Sequence, residues 1–432
     1  MSQNPTTVTK LERLSREDSA RWYMGTPENP MVIGALLLFD QRLALDALAE
    51  VVSRKLLPHR RFRQHVVEPE HRFARPCWRD DISFDLGEHV LKLSPPHAVD
   101  RDALVRLAAD RMSAPPPQHR SPWTLELVDL VPEGSALIAR FHHCIADGRA
   151  LVSLLGELAD GVRSGTAGIA VASSRSSQVS RRGGLWAWLA GFFRLFVLSA
   201  DPAGALRRPL SGHKRVAWST SISMDSVKSV ARARGHHVAD VLLAAVAGAL
   251  ARNSGARGQA PRSVRALLPV AAPSEASSDG LGNHYASVFV RLPIAVADPR
   301  ARLEVIARDM DAVRRGGALR LALGLMRLAG AAAPAIERWA VRWWSRRASL
   351  VVSSLAGPPS PVLLAGQRVR SIVVWAPAAA SVGLSVTLFG YAGALHLGVL
   401  ADAAVIDQPE ELAAGFQAAM DELRHGALPD KP

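Results

Sequence analysis

The sequence predicts a mixed α/β (α+β) fold of two like-sized lobes, each a mixed sheet with helices, around one shared cleft. Three observations lead there. At 432 residues the chain exceeds one ordinary core, and about two or three domains is the expectation. Apolar runs of strand length and stretches of helical spacing follow one another in similar order on either side of a Ser-, Gly-, Ala- and Arg-rich segment near 161–184. A content of 48% hydrophobic and 21% charged residues suits a globular chain and not a disordered one.

The elements follow in order. Ser15 and Asp18 have capping-box spacing for a short helix running to Tyr23. Pro30 starts an apolar run, 31–39, that reads as a buried strand, and 45–57 and 100–112 have helical spacing. Pro115, Pro116 and Pro117 break the chain before a strand at 123–131. Pro132, Glu133 and Gly134 turn it back into a strand that ends at His142 and His143, and Gly148 leads into a helix to Leu158. The segment near 161–184 reads as a linker by composition. Beyond it, 213–222 reads as a strand and Ser223 caps a helix to Arg234. The nearly all-apolar helix 238–252 is expected to be central. Strands at 264–270 and 285–292, a helix at 299–315, a hairpin at 384–389 and 395–400 and a final helix at 408–424 complete the chain. The expected division is a first lobe at 1–165, a linker at 166–212 with an apolar, aromatic segment, and a second lobe at 213–432.

The most informative residues are His142, His143, Cys144, Ile145, Ala146, Asp147 and Gly148, at the end of the apolar run 136–141. An imidazole at the end of a buried strand can sit in a dry cleft and still meet substrate. With an ordinary pKa of about 6.5 it takes a proton from a hydroxyl or thiol near neutral pH. Metal binding by His142, His143 and Asp147 is disfavoured, because adjacent strand residues point to opposite faces. A serine triad is disfavoured too, since the chain has no G-x-S-x-G elbow. A purely structural reading stays open, with both imidazoles hydrogen-bonded in a core and Asp147 capping the helix that follows.

Fifty-two basic against 39 acidic residues give a net charge of +13, which favours phosphate-bearing small molecules, nucleic acid or an anionic membrane surface. Basic clusters stand at Arg60–Arg61–Arg63, Arg207–Arg208 and His213–Lys214–Arg215. Nucleic acid is not expected, because the aromatic residues gather with apolar ones and not with the basic loops. Two cysteines, Cys77 and Cys144, do not build a disulfide framework or a cysteine-rich zinc site. The first residues lack the apolar core of a secretion signal, so a reducing, cytosolic setting is expected. Two segments, 185–198 and 319–347, mix apolar and aromatic residues with arginines. Such segments suit helices lying in a lipid interface, or equally helices packed on the protein with arginine stems over apolar surface.

HHCIADG resembles the H-H-x-x-x-D-G signature of acyltransferases built on the chloramphenicol acetyltransferase-like fold. Its surroundings resemble one branch, the bacterial wax ester synthase/acyl-CoA:diacylglycerol acyltransferase family, over nearly the whole chain. LSREDSARWYMGTPENPMVIGALLLFD is similar to the family's opening block, Arg120–Ser121–Pro122–Trp123 to its Pro-Leu-Trp block, GNHYASVFVRLP to its Gly-Asn block, VVSSLAGPPSPVLLAGQRV to its serine-to-Gly-Pro block, and GYAGALHLGVLAD to its closing hairpin. The chain departs from the family at Ala239, where an asparagine usually precedes Asp240, at Ser353–Ser354 in place of Ser-Asn, in lacking the leucine between Pro122 and Trp123, and in carrying Arg149.

The resemblance implies two chloramphenicol acetyltransferase-like lobes around a central channel. It implies His143 as general base, with His142 mainly structural, Asp147 holding the loop and Gly148 allowing close packing. Asn283, with Gly282, would bind substrate or the oxyanion, or serve only as a turn, and Ser354 and Ser353 stand under the same two readings. The implied reaction moves a long-chain acyl group from acyl-CoA, the co-substrate, to diacylglycerol or a fatty alcohol, with no cofactor and no metal. The implied setting is peripheral, on the inner face of the membrane or on lipid inclusions. Two other readings are an acyltransferase of the same fold acting on an amine or a carrier-bound acceptor, and a lipid-binding protein without catalysis.

Overall fold

Strands whose residues are apolar on both faces need cover on both faces, and the first sheet supplies that cover with helices on one side and the second lobe on the other. A computed structural model describes residues 11–71, 74–117, 119–160, 201, 204, 206–256, 261–271, 281, 283, 285–314, 341, 343, 345–378 and 380–425. The first half contains β1 (Glu12–Arg13), α1 (Arg16–Met24), β2 (Val32–Phe39), α2 (Leu45–Lys55), β3 (Gln64–Val67), β4 (Cys77–Asp80), β5 (Val90–Lys92), α3 (Arg101–Ser113), β6 (Trp123–Asp129), β7 (Ser135–His142) and α4 (Gly148–Leu158). The second contains β8 (Lys214–Trp218), β9 (Ile222–Ser223), α5 (Met224–Ala233), α6 (Val238–Ala256), β10 (Val264–Ala271), β11 (Tyr285–Leu292), α7 (Pro299–Arg314), β12 (Leu350–Ala356), β13 (Leu363–Leu364), β14 (Gln367–Trp375), β15 (Leu384–Tyr391), β16 (Ala394–Asp402) and α8 (Pro409–His425).

A six-stranded sheet runs in the order β13-β14-β2-β7-β6-β5, and a seven-stranded sheet in the order β11-β10-β12-β15-β16-β8 with β9 beside β16. The first sheet is antiparallel except where β5 lies parallel to β6. Helices α2 and α4 pack on one of its faces, where Leu48, Val52, Val152 and Leu154 meet Leu37, Leu137 and Ala139. Helix α3 packs on the other through Leu104, Ala108 and Met112, in a core that also takes in Val216, Trp218 and Leu400 of the second sheet. That shared core joins the lobes. In the second lobe α6 and α8 cover the sheet, with Val246, Leu250, Phe416 and Met420 against Leu350, Val386 and Val399.

The expected elements are present, with shifts of a few residues at their ends, except that the strand expected at 213–222 is two short ones, β8 and β9. Helix α6 is buried and central, as its composition requires, and extends to Ala256. The 384–400 hairpin turns at Ala392 and Gly393, both at positive φ (49° and 78°), as a tight two-residue turn demands. The linker near 161–184 and the Arg/Trp-bearing segment 185–198 lie outside the described residues, as does most of 319–347. β12 and β14 were not read as strands from the sequence. β14 also departs from the division of the chain at 213, because it pairs antiparallel with β2, Trp375 opposite Gly34 and Ile372 opposite Leu37, inside the first sheet.

Further bonds cross between the halves. Asn29 Nδ2 donates to the carbonyls of Ala380 (2.9 Å) and Val382 (2.7 Å). Lys214 Nζ, almost fully buried, donates to Asn29 Oδ1 at 2.8 Å and sits 3.4 Å from Asp402 Oδ2. The backbones approach closely where β14 crosses β16: a Cβ added at Gly398 would stand 2.3 Å from the Val374 carbonyl oxygen.

Candidate active site

The motif folds as a strand end, a tight turn and a helix start. His142 N–H donates to the Pro122 carbonyl (2.9 Å) and His143 N–H to that of Met31 (2.7 Å), so neighbouring segments hold both histidines by their backbones. Ile145 N–H closes the turn onto the His142 carbonyl at 3.0 Å. Asp147 is the N-cap of α4, its Oδ1 accepting from Arg149 N and Ala150 N at 3.0 Å each. It is a cap, as both readings of the sequence allowed. At Gly148 a Cβ would stand 2.8 Å from Leu355 Cδ1, so the absence of a side chain lets β12 of the second lobe close onto the start of α4.

The two imidazoles have different surroundings. His142 Nδ1 accepts from Cys144 N at 3.2 Å, and its ring lies 5.0 Å from that of Trp22. Burial, with the neighbouring His143, lowers its pKa to about 3. His143 is 7% exposed. Its pKa falls to about 4, first through burial and then through the Arg21 charge, while its own backbone carbonyl, Asp147 and the Asn283 side chain pull the other way. At neutral pH both rings are uncharged, and an uncharged ring is the form that accepts a proton. The Cys144 thiol is pushed well up by burial and stays a thiol. Among the described residues no group of three or more His, Cys, Asp or Glu side chains is placed to hold a metal ion.

Asn283 reaches the motif from the second lobe. Its Nδ2 donates to Asp18 Oδ1 and to the His143 carbonyl, both at 2.8 Å. The donor role toward substrate or oxyanion therefore gives way, because both amide hydrogens already have acceptors inside the protein. Gly282 lies outside the described residues. Ser353 is buried and Ser354 exposed, and their backbones pair with Thr387 and Leu388 of β15. Asp18 is half of the capping box read from the sequence: its N–H donates to Ser15 Oγ at 2.9 Å, while its carboxylate crosses to Asn283. Asp18, Arg21 and Leu355 were not read as site residues. A charged pair on a helix with little apolar stripe, placed among apolar blocks, was the one available signal for the first two.

Beside the turn lies an apolar cavity of about 90 Å³ between the first sheet and helices α2 and α4. Phe141 and Gly148, which bracket the histidine turn, line it, together with Leu37, Leu137, Leu155 and Leu355. A cavity with apolar walls stays dry and takes apolar groups.

Several residues of the basic clusters pair within the protein, while Arg63, Arg208 and His213 are exposed. Arg60 pairs with Asp80 (2.6 Å), Arg61 lies over Trp78 (4.3 Å) and near Glu12 (3.6 Å), Arg207 donates to the Asp201 carbonyl, Lys214 is buried against Asp402, and Arg215 pairs with Asp407 (3.2 Å).

Two family models match the chain: the wax ester synthase/diacylglycerol acyltransferase catalytic domain over residues 14–194, and the WS/DGAT C-terminal domain over residues 281–424. A Mycobacterium tuberculosis protein named "Probable diacyglycerol O-acyltransferase tgs1" is 29% identical over 426 residues, covering 91% of each chain. The solved wax ester synthase/diacylglycerol acyltransferase of Marinobacter aquaeolei superposes with a TM-score of 0.67 at 19% identity, over 96% of this chain and 99% of that one. A variant of the starter condensation domain of rhizomide synthetase RzmA, solved with C8-CoA, superposes with a TM-score of 0.63 at 14% identity, over 97% of this chain and 95% of that one. The two structural likenesses speak to the fold, two lobes with curled sheets.

Proposed function

The chain belongs to the wax ester synthase/diacylglycerol acyltransferase family and is an acyl-CoA-dependent O-acyltransferase, and we propose that His143 is the general base of the transfer. The observation that carries this reading is an imidazole held uncharged by burial at the end of β7, beside a dry apolar cavity. The neutral ring takes the proton of the acceptor hydroxyl as its oxygen attacks the thioester carbonyl. The tetrahedral intermediate collapses, the C–S bond breaks, and the departing thiolate takes the proton back from His143. The products are an ester and free coenzyme A, and the base is restored. Since a thioester is already activated, the step needs no metal.

The acyl chain of the donor enters the cavity between the sheet and α2/α4 from the turn between Phe141 and Gly148, and the cavity of about 90 Å³ holds only part of a long chain. The acceptor is a lipid hydroxyl, either diacylglycerol or a fatty alcohol. Contact with an anionic membrane or a lipid inclusion on the cytoplasmic side rests on the net charge of +13 and on the composition of 185–198 and 319–347. Flotation of the full chain with phosphatidylglycerol vesicles, and its absence with phosphatidylcholine alone, is the expected result.

The direct test mixes the protein with palmitoyl-CoA and either hexadecanol or diacylglycerol, and follows free thiol and lipid product. Thiol release requires an acceptor and falls about 10²- to 10⁴-fold in His143→Ala. Equal turnover in that variant overturns the base assignment. Saturable lipid binding without turnover on any alcohol supports the non-catalytic reading instead.

A further inference from the structure

Asn283 stands where the second lobe meets the histidine turn, and its neighbours dictate which way its amide points. Nδ2 gives one hydrogen to Asp18 Oδ1 and the other to the His143 carbonyl. Both partners are acceptors only, so the amide nitrogen must face them; the flipped amide would set oxygen against oxygen twice. With the nitrogen fixed, the oxygen faces the other way. Oδ1 is buried and accepts no hydrogen bond from a described residue in this conformation. Asn283 is 2% and Asp18 5% exposed, so water does not compete for either. The Asn283 side chain is among the groups that favour the protonated His143 ring, behind that residue's own backbone carbonyl and Asp147. Nδ1 of that ring is also buried.

We infer that Asp18 and Asn283 are positioning residues: Asp18 locks the Asn283 amide, whose oxygen holds the His143 ring with Nδ1 inward and Nε2 toward the incoming hydroxyl. The inference rests on His143 being the base and extends it by naming what orients it. Catalytic bases are commonly oriented in this way by a third group. The benefit is largest during the reaction. Once His143 has taken the proton, its ring carries a charge that burial and Arg21 both oppose. A hydrogen bond from a charged ring to the amide oxygen is about twice as strong as one from the neutral ring. The other groups favouring the charged ring are its own backbone carbonyl, which Asn283 Nδ2 holds at 2.8 Å, and Asp147, which is fixed as the cap of α4. The orienting amide comes from one lobe and the base from the other, so the site is complete only when both lobes are in place.

The test uses the full chain as wild type, His143→Ala, Asn283→Ala, Asp18→Ala and Asp18→Asn. Each is assayed for kcat and KM with palmitoyl-CoA and hexadecanol, and the proton position on the His143 ring is read by ¹⁵N NMR of histidine-labelled protein at pH 7. Asn283→Ala is expected to lower kcat about 10²-fold, as loss of alignment at a reacting centre does, with KM for palmitoyl-CoA within about threefold. The single Nδ1–H form of wild type becomes a mixture of both forms. Asp18→Ala gives the same spectral mixture, and Asp18→Asn restores wild-type signals and rate, because an asparagine oxygen still accepts from Asn283 Nδ2.

Wild-type spectra and rates in Asn283→Ala and Asp18→Ala overturn the inference, as does Asp18→Asn impaired to the level of Asp18→Ala. If Asn283→Ala does not fold, the two Asp18 variants decide. Full turnover in His143→Ala removes the base reading and is told apart by that variant alone, while the spectra still report whether the ring is oriented.

Discussion

At His142 and His143 burial sets the charge state, and two pH dependences follow. Activity needs the neutral His143 ring, so the acid limb of kcat/KM should lie near pH 4 and not near 6.5, read from thiol release between pH 3.5 and 8. Stability follows the same shift. Both folded-state pKa values lie below the unfolded value of about 6.5. Between about pH 4 and 6.5 the unfolded chain therefore binds more protons, and stability is lost as the pH falls through that window. His142→Gln removes one such site and should flatten the dependence by about 1.4 kcal/mol per pH unit in urea unfolding; an unchanged slope rejects the assignment. The histidine turn and its cap were legible because seven consecutive residues carry them. The pairing of Asp18 with Asn283 was not, since it joins positions 265 residues apart and neither carries a local pattern that names the other.

At the level of elements, α4 walls the cavity with Leu151, Leu155 and Leu158. Leu155→Trp fills that space, and the expected result is loss of palmitoyl transfer with hexanoyl transfer kept within about threefold. Equal loss with both donors would place the chain elsewhere. Where β14 crosses β16, Gly398→Ala drives a methyl group into the Val374 carbonyl. Backbone cannot swing aside as a side chain end does, so a cost of about 1–3 kcal/mol is expected in urea unfolding. β2 was legible as an all-apolar run of eight residues after Pro30, and β7 as an apolar stretch, Ala136 to Ala139 with Phe141, that follows Gly134 and ends at the histidines. β14 was not, because its first half alternates polar, partly exposed residues with the buried Val369 and only its last four residues form a buried run. Nothing local in such a strand states which sheet it will enter.

For the molecule as a whole, the buried Lys214–Asp402 pair with Asn29 bolts one half to the other. Burial depresses the Lys214 pKa, and the nearby Asp402 carboxylate opposes that shift. Asp402 also accepts from Ser211 N and Oγ, Gly212 N and Ala404 N, so Lys214→Met leaves it partly satisfied. The expected cost is at the lower end for a broken buried pair, about 3 kcal/mol in urea unfolding; a change under about 0.5 kcal/mol would show the pair to be idle. The two-lobed α/β plan was visible in the repeating order of elements, but this exchange between lobes was not, because the order of elements carries no information on which halves share a sheet. The exchange has a consequence for biogenesis. Until residue 375 has left the ribosome, β2 presents a bare, wholly apolar edge, the kind of edge that recruits other chains. The first half of the nascent polypeptide cannot finish folding ahead of the second, so slow synthesis or truncation after the linker should yield aggregates and not a soluble amino-terminal fragment.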